Sequence, residues 1–530
     1  MDAKDKERVL VEVVQRVLAG TGSDPQRVEQ AIFDTLYEER RRLETEPHDP
    51  LAREQTAFYE HVHAQALRAD PLGQRKLLAQ MVQRFADEVA GHFDPRVYAA
   101  VTRVVPTGLS LLLNALSPLK LARSLSHGFA DLDEQLEIVG EVPTLQRLVP
   151  LGTLVLVPTH SSNLDSIIMG YAIYRMGLPP HLYGAGLNLF RNELVGFFMR
   201  HLGAYKVDRR KHAAAYKEVL KTYAGCTMEL GYHNLFFPGG TRSRSGAVER
   251  RLKLGLLGMA LDAYLHNLLA HKPKPDVFVV PCTINYELVL EAETLICDHL
   301  KEAGKARYII EDDEFSKPRR ILDFVKKLLS LCSRIHVVVG APLDVFGNRV
   351  LEDGTSVDAR GRSVDRTRYV VRHGSVRADA QRDGEYTREL AAAVVDSYRR
   401  NTMPKSTNLV ARVVFSWLRE RGRGLDLYRL LRTGGAEDSL PLVEAHERVD
   451  RALHALRDRA SRGRVRLAPS LRDADVPDVV SKALAHLGSY HRRAALERRG
   501  DRLFHQDRNL LLFYQNRLDG YELGVPGTAA

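Results

Sequence analysis

The chain has 530 residues, 27% of them charged, with 77 Lys and Arg against 67 Asp and Glu for a formal net charge of +10 and a mean hydropathy of -0.25. These values exclude a disordered chain and a polytopic membrane protein, and they leave room for about two or three domains. The basic excess suits an anionic partner, either a phosphorylated substrate, anionic lipid or nucleic acid; with one Trp and no basic patch interleaved with aromatics, nucleic acid ranks last.

Cys226, Cys282, Cys297 and Cys332 show no CxxC spacing, so a reducing compartment is expected, with no disulfide and no metal site. The N-terminus is too charged for a signal peptide, and no apolar run approaches the length of a bilayer span. Residues 1–135 read as a helical region. Apolar side chains recur at helical spacing in Val9, Leu10, Val13, Val14, Val17 and Leu18 and again in Leu77, Leu78, Met81, Val82 and Phe85, with residues 39–42 as a charged outer face. Residues 104–121 are the most lipid-compatible stretch. Pro106, Gly108 and Pro118 interrupt it and Lys120 ends it, which leaves a buried core helix or a helix lying in the membrane interface.

Over residues 136–404 the pattern changes to strands at 153–157, 234–237, 276–280 and 335–340, alternating with amphipathic helices at 213–230 and 254–269. This alternation predicts an α/β domain, a central and mostly parallel sheet flanked by helices, with ligand sites at the strand ends. Residues 347–383 are polar and rich in turn formers and predict a surface hairpin insertion. Residues 405–530 read as helical again through 518, with a loose tail at 524–530.

Four stretches carry chemistry. The first, TLVLVPTHSSNLD (153–165), runs strand, loop, helix, and delivers His160 to a strand end and Asp165 to the first turn of a helix, where a carboxylate is favoured. A His held by a carboxylate is a general base, although that spacing alone equally describes a His beside a helix cap. The second, GAYKVDRR (203–210), ends a strand-like run in Arg209, a fixed fork for phosphate or else a surface arginine. The third, NLFFPGGTRSRSG (234–246), places Gly240, Thr241, Arg242, Ser243 and Arg244 after a strand, an oxyanion or phosphate cradle without the spacing of a nucleotide P-loop. Lys253 follows at a helix start as a further positive charge or a solvated one. The fourth, VFVVPCTINYE (277–287), reads as a core strand walling a cleft.

In this order the four stretches resemble the glycerophospholipid acyltransferase family. The matching residues are His160 and Asp165, Gly203 with Arg209, Phe237 to Ser243, and Val280, Pro281 and Tyr286. The stretches AGLNLF (185–190), NTMPKSTNLVA (401–411) and NLLLFYQNRL (509–518) resemble the long glycerol-3-phosphate acyltransferase branch. One residue departs from the pattern: the family's Glu in the third motif is Gly239 here. The resemblance implies acyl transfer from acyl-CoA or acyl carrier protein to the sn-1 hydroxyl of glycerol 3-phosphate, in phospholipid biosynthesis, with no cofactor and no metal. It implies His160 as base, Asp165 as its orienting partner, Arg209, Gly240, Thr241, Arg242, Ser243, Arg244 and Lys253 as the substrate-binding set, and peripheral or monotopic attachment at the cytoplasmic face of a membrane. Dihydroxyacetone phosphate or a lysophosphatidate as acceptor, or a catalytically altered lipid-binding homologue, are the alternatives.

Overall fold

The computed structural model describes residues 1–45, 52–94, 96–97, 135–187, 201–303, 334–433 and 439–523. The lipid-compatible stretch 104–121, residues 188–190 of the stretch 185–190 and the tail 524–530 lie outside the described residues. Four helices open the chain: α1 (Ala3–Thr21), α2 (Pro25–Thr45), α3 (Ala52–Ala66) and α4 (Pro71–Val89). Their apolar stripes meet in one core, as the helical spacing requires, and that core continues onto Tyr216, Val219 and Tyr223 of a later helix. The expected charged outer face at 39–42 is found only in part: Arg40 and Arg41 are exposed, whereas Glu39 and Arg42 are buried. Arg42 Nη2 lies 2.8 Å from Glu39 Oε2, Lys211 Nζ approaches the same carboxylate at 3.3 Å, and Arg42 also donates to Gln55. Charges that pair in this way are tolerated inside a fold, and periodicity does not distinguish them from a solvated face.

The central sheet has seven strands in the order β1-β7-β6-β2-β5-β3-β4. They are β1 (Leu136–Gly140), β2 (Thr153–Pro158), β3 (Leu182–Gly186), β4 (Ala204–Val207), β5 (Asn234–Leu235), β6 (Val277–Asn285) and β7 (Ile335–Val339). All neighbouring pairs are parallel except β6 with β7, so the expected mostly parallel sheet is present. Between the strands run α5 (Val142–Leu148), α6 (Asp165–Arg175), α7 (Ala214–Glu229), α8 (Leu254–Leu269) and α9 (Ala292–Ala303). β2 lies between β6 and β5 and is buried along its whole length. That accounts for its uninterrupted apolar run: Leu154 and Leu156 enter the core on one face of the sheet, and Val155 and Val157 enter the core on the other.

The insertion after β7 forms two small antiparallel units, β8 (Arg349–Val350) with β9 (Ser356–Val357) and β10 (Ser363–Val364), then β11 (Val371–Arg372) with β12 (Ser375–Val376). Next come α10 (Ala380–Asn401), α11 (Ser406–Arg421), α12 (Leu427–Thr433), α13 (Leu442–Ser461), α14 (Val476–Leu487) and α15 (Arg508–Gln515). The C-terminal region is not wholly helical as its sequence suggested. β13 (Ser439–Pro441), β14 (Leu496–Arg499) and β15 (Arg502–His505) form an antiparallel sheet in the order β13-β15-β14. The charged exposed face of LERR and the shortness of each strand hide the alternation, since only Leu496 on β14 and Leu503 and His505 on β15 turn inward. Among the described residues, no helix is long and apolar enough to cross a membrane.

Candidate active site

β2 ends at Pro158, and the chain turns through Thr159 to Leu164 before α6 begins at Asp165. The Asp165 carboxylate is fully buried and meets four donors. Oδ2 accepts from the amides of Ser161 at 2.6 Å and Ser162 at 2.9 Å and lies 2.9 Å from His160 Nδ1; the Tyr286 hydroxyl donates to Oδ1 at 2.5 Å. A carboxylate so held cannot swing, and it assigns the imidazole proton to Nδ1. His160 Nε2 is left with its lone pair and with no protein partner among the described residues.

Burial lowers the His160 pKa from its ordinary value. The hydrogen bond and charge of Asp165 oppose that shift, and the positive charges of Arg242 and Arg209 add to it. The ring is therefore neutral near pH 7, the state a base needs. Phe237 stacks on it with centroids 4.1 Å apart and planes 22° from parallel, which closes one face of the imidazole. The backbone of His160 is held on both sides: its N–H donates to Glu249 Oε1 at 2.7 Å, and its carbonyl accepts from the Ser243 amide at 2.7 Å. His160 and the glycine loop that follows β5 are thus one unit.

That loop owes its path to two glycines. Gly240 has φ 76°, a conformation other residues adopt only with strain. At Gly246 a Cβ would stand 2.2 Å from the Phe513 carbonyl oxygen of α15, and Asn516 Nδ2 donates to the Ser245 carbonyl at 2.9 Å. The C-terminal helices therefore clamp the loop from behind.

Arg209, at the end of β4, joins Arg242 and Arg244 of the loop in a cationic cluster. The residue is exposed, although protein atoms crowd around its guanidinium. Burial, followed by the charges of Arg242 and Arg244, pulls its pKa down to about 10. Arg242 lies 3.4 Å from the buried carboxylate of Glu291, and Arg244 pairs with Glu302. Arg209 has no acidic partner among the described residues; the neighbouring Asp208 turns away to Arg210 Nε, 2.9 Å distant. The cluster is an incomplete set of charges that an incoming anion would complete.

Residues 141–285 match the family model described as Acyltransferase. A glycerol-3-phosphate acyltransferase of Xanthomonas axonopodis pv. citri is 33% identical over 161 residues, 30% of this chain and 17% of that protein. One of Pseudomonas syringae pv. tomato is 33% identical over 176 residues, 33% of this chain and 20% of that protein, and one of Pseudomonas syringae pv. syringae is 30% identical over 229 residues, 43% and 25% of the two chains. Over these residues the chain is similar to acyltransferases. It spans a quarter or less of the length of these curated relatives.

The remaining expected residues of this acyltransferase domain take different places. Thr241 is exposed. The Ser243 hydroxyl donates to the Ala247 carbonyl at 2.7 Å and shapes the loop. Lys253 is exposed, its amide bonds the Pro238 carbonyl at 2.7 Å, and its stem lies against Gly240. In the turn before α6 the amides of Ser161 and Ser162 are taken by Asp165 and that of Asn163 by Glu291, whereas the Gly239 and Thr241 amides of the glycine loop bond no protein acceptor among the described residues and are available to an oxyanion.

Three groups escaped the motif reading. Glu291 accepts from the Ser162 hydroxyl at 2.7 Å and faces Arg242. Glu249 bonds the His160 amide. Arg517 is buried and donates to the Ile284 carbonyl at 3.0 Å, at the end of β6. Glu291 had one visible signal, an acid inside the apolar run LVLEA; a carboxylate in such a run needs a partner.

Proposed function

We propose that this acyltransferase moves a fatty acyl group from an acyl thioester, on coenzyme A or on acyl carrier protein, to the sn-1 hydroxyl of glycerol 3-phosphate. The acceptor phosphate docks on Arg209, Arg242 and Arg244, which brings its hydroxyl to His160. Nε2 takes the hydroxyl proton while the oxygen attacks the thioester carbonyl carbon. The Gly239 and Thr241 amides receive the negative charge of the tetrahedral intermediate. As the carbon–sulfur bond breaks, the imidazolium returns the proton to the departing sulfur, leaving an ester and a free thiol. Throughout the cycle Asp165 stabilises the imidazolium. The residues supply every proton and charge the step needs, so the proposal includes no cofactor. Because the product is a lipid, the site belongs at a membrane surface, and we assign the chain to the cytoplasmic face as a peripheral or monotopic protein.

The observation that carries this reading is Arg209, a guanidinium without a counter-ion facing two further arginines beside a free imidazole nitrogen. The test is thiol release from acyl-CoA by the purified protein with glycerol 3-phosphate, dihydroxyacetone phosphate or a lysophosphatidate as acceptor. Release that depends on glycerol 3-phosphate supports the proposal. Release without any acceptor points to a hydrolase, and no release with any acceptor removes the catalytic reading.

A further inference from the structure

Gly239 stands where the resembling motif carries Glu, and its missing side chain leaves a volume beside the base. That volume is filled. A Cβ built on Gly239 would lie 3.2 Å from Cγ of Glu249 and 3.6 Å from its Oε1. The glycine loop turns back on itself, and its far limb thus lays a carboxylate against the position that has none. The same Oε1 accepts the His160 amide at 2.7 Å, while Oε2 is buried without a hydrogen-bond partner.

A carboxylate in that condition is costly. Burial raises its pKa to about 6, against the opposing pull of the His160 amide and the charge of Arg517. A buried acid with one satisfied oxygen and one unsatisfied oxygen weakens a fold that uses it for nothing else. Among the described residues its one hydrogen bond to another residue falls on the amide of the residue that bears the imidazole. His160 is then fixed by three anchors: the side chain by Asp165, the carbonyl by the Ser243 amide and the amide by Glu249. Two of the three come from the loop that carries Arg242 and Arg244, so Glu249 sets the distance between the base and the phosphate-binding arginines.

We propose that Glu249 is a positioning residue of this acyl-transfer site, supplying from the far limb of the loop the carboxylate that position 239 lacks, and that a small residue at 239 and an acid at 249 form a matched pair. The inference rests on the reading of His160 as the base. It implies that the pair can be exchanged: an acid placed at 239 collides with Glu249 but fits once Glu249 is shortened.

The experiment is a double-mutant cycle on the full chain with Glu249→Ala, Gly239→Glu and both together, read in acceptor-dependent thiol release and in denaturant midpoint. Glu249→Ala is expected to lower kcat about 10- to 100-fold with acceptor KM within about threefold, the loss of one hydrogen bond to a charged group. Gly239→Glu alone falls by a similar factor through crowding. The double variant recovers at least about tenfold over Glu249→Ala and is more stable than the sum of the single changes predicts. Glu249→Gln keeps an acceptor oxygen for the His160 amide and recovers most of the kcat lost in Glu249→Ala. Wild-type kcat in Glu249→Ala overturns the positioning role, and strict additivity in both readouts overturns the pairing. A wild-type protein that transfers no acyl group sinks the reading of the site as an acyltransferase, and the stability cycle alone then decides whether 239 and 249 are coupled.

Discussion

Replacing Arg209 by Ala removes the one guanidinium of the cluster that has no acid to release. Among the described residues nothing loses a counter-ion, so the effect reports on the ligand. If the side chain meets phosphate as a fork, two charge-assisted hydrogen bonds disappear, each worth about 1.5–3 kcal/mol. Arg209 is exposed, so a combined loss of about 2–4 kcal/mol is the better expectation, which raises the acceptor KM about 30- to 1000-fold. Arg209→Lys keeps the charge without the fork and falls between the two. A second effect has a definite sign. The Arg209 charge helps to lower the His160 pKa, so its removal raises that pKa, and the acid limb of kcat/KM moves to higher pH. The assay is steady-state thiol release over a range of glycerol 3-phosphate concentrations, repeated between about pH 5.5 and 8, the span in which histidines titrate. Wild-type KM together with an unmoved acid limb would refute the placement of Arg209 in the acceptor site.

Other expectations follow from the same geometry. His160→Ala lowers turnover about 10²- to 10⁴-fold with an unchanged thermal midpoint in a calorimetric scan; retained turnover removes the base assignment. Tyr286→Phe takes away the 2.5 Å donor to Asp165 Oδ1 and costs about 1.5–3 kcal/mol of stability with about a tenfold fall in kcat, so wild-type values in both a urea melt and the assay would contradict its role. His181 and His233 face each other at 5.2 Å and are buried neutral, their pKa values lowered by burial to about 3 and about 4. Below pH about 6.5 the unfolded chain binds more protons than the folded one, so stability present at neutral pH is lost as pH falls toward 4. His233 alone contributes about 2 kcal/mol of that loss at pH about 5, and a urea midpoint that stays flat from pH 7.5 to 5 counts against it.

The sequence made the sheet and the dyad readable for physical reasons. β2 is buried on both faces, so its apolar run has no polar interruption, and His160 and Asp165 are close enough along the chain that one loop sets their geometry. Short range also made Gly240 legible as a turn. What the sequence hid is of longer range. β3, LYGAG, has no β-branched residue and two glycines, and only its pairing with β4 and β5 makes it a strand. The arginines looked interchangeable in sequence; Glu291 and Glu302, which lie far along the chain, separate Arg242 and Arg244 from Arg209. Glu39 read as part of a solvated face because one of its partners, Lys211, follows the arginines of the second motif.

This last contact links regions that the motifs treat separately. Lys211 is buried, with its ammonium 2.7 Å from Glu88 of α4 and 3.3 Å from Glu39 of α2, and it lies over the Phe85 ring at 4.7 Å. The turn that carries Arg209 is thereby fastened to the N-terminal helices, as the loop carrying Arg242 is fastened to α15 by the contacts of Gly246 and Ser245. Neither arginine stands on a rigid strand; each stands on a turn whose position another part of the chain fixes. Three like charges repel one another, and after burial the charges of Arg242 and Arg244 add to the lowering of the Arg209 pKa, so a cluster on unfastened turns would spread apart. Holding it together needs anchors on both sides. On the proposed reading of the site, the helical regions before and after the sheet would keep the arginines assembled in the absence of the anion that neutralises them, so that binding energy is not consumed in gathering them.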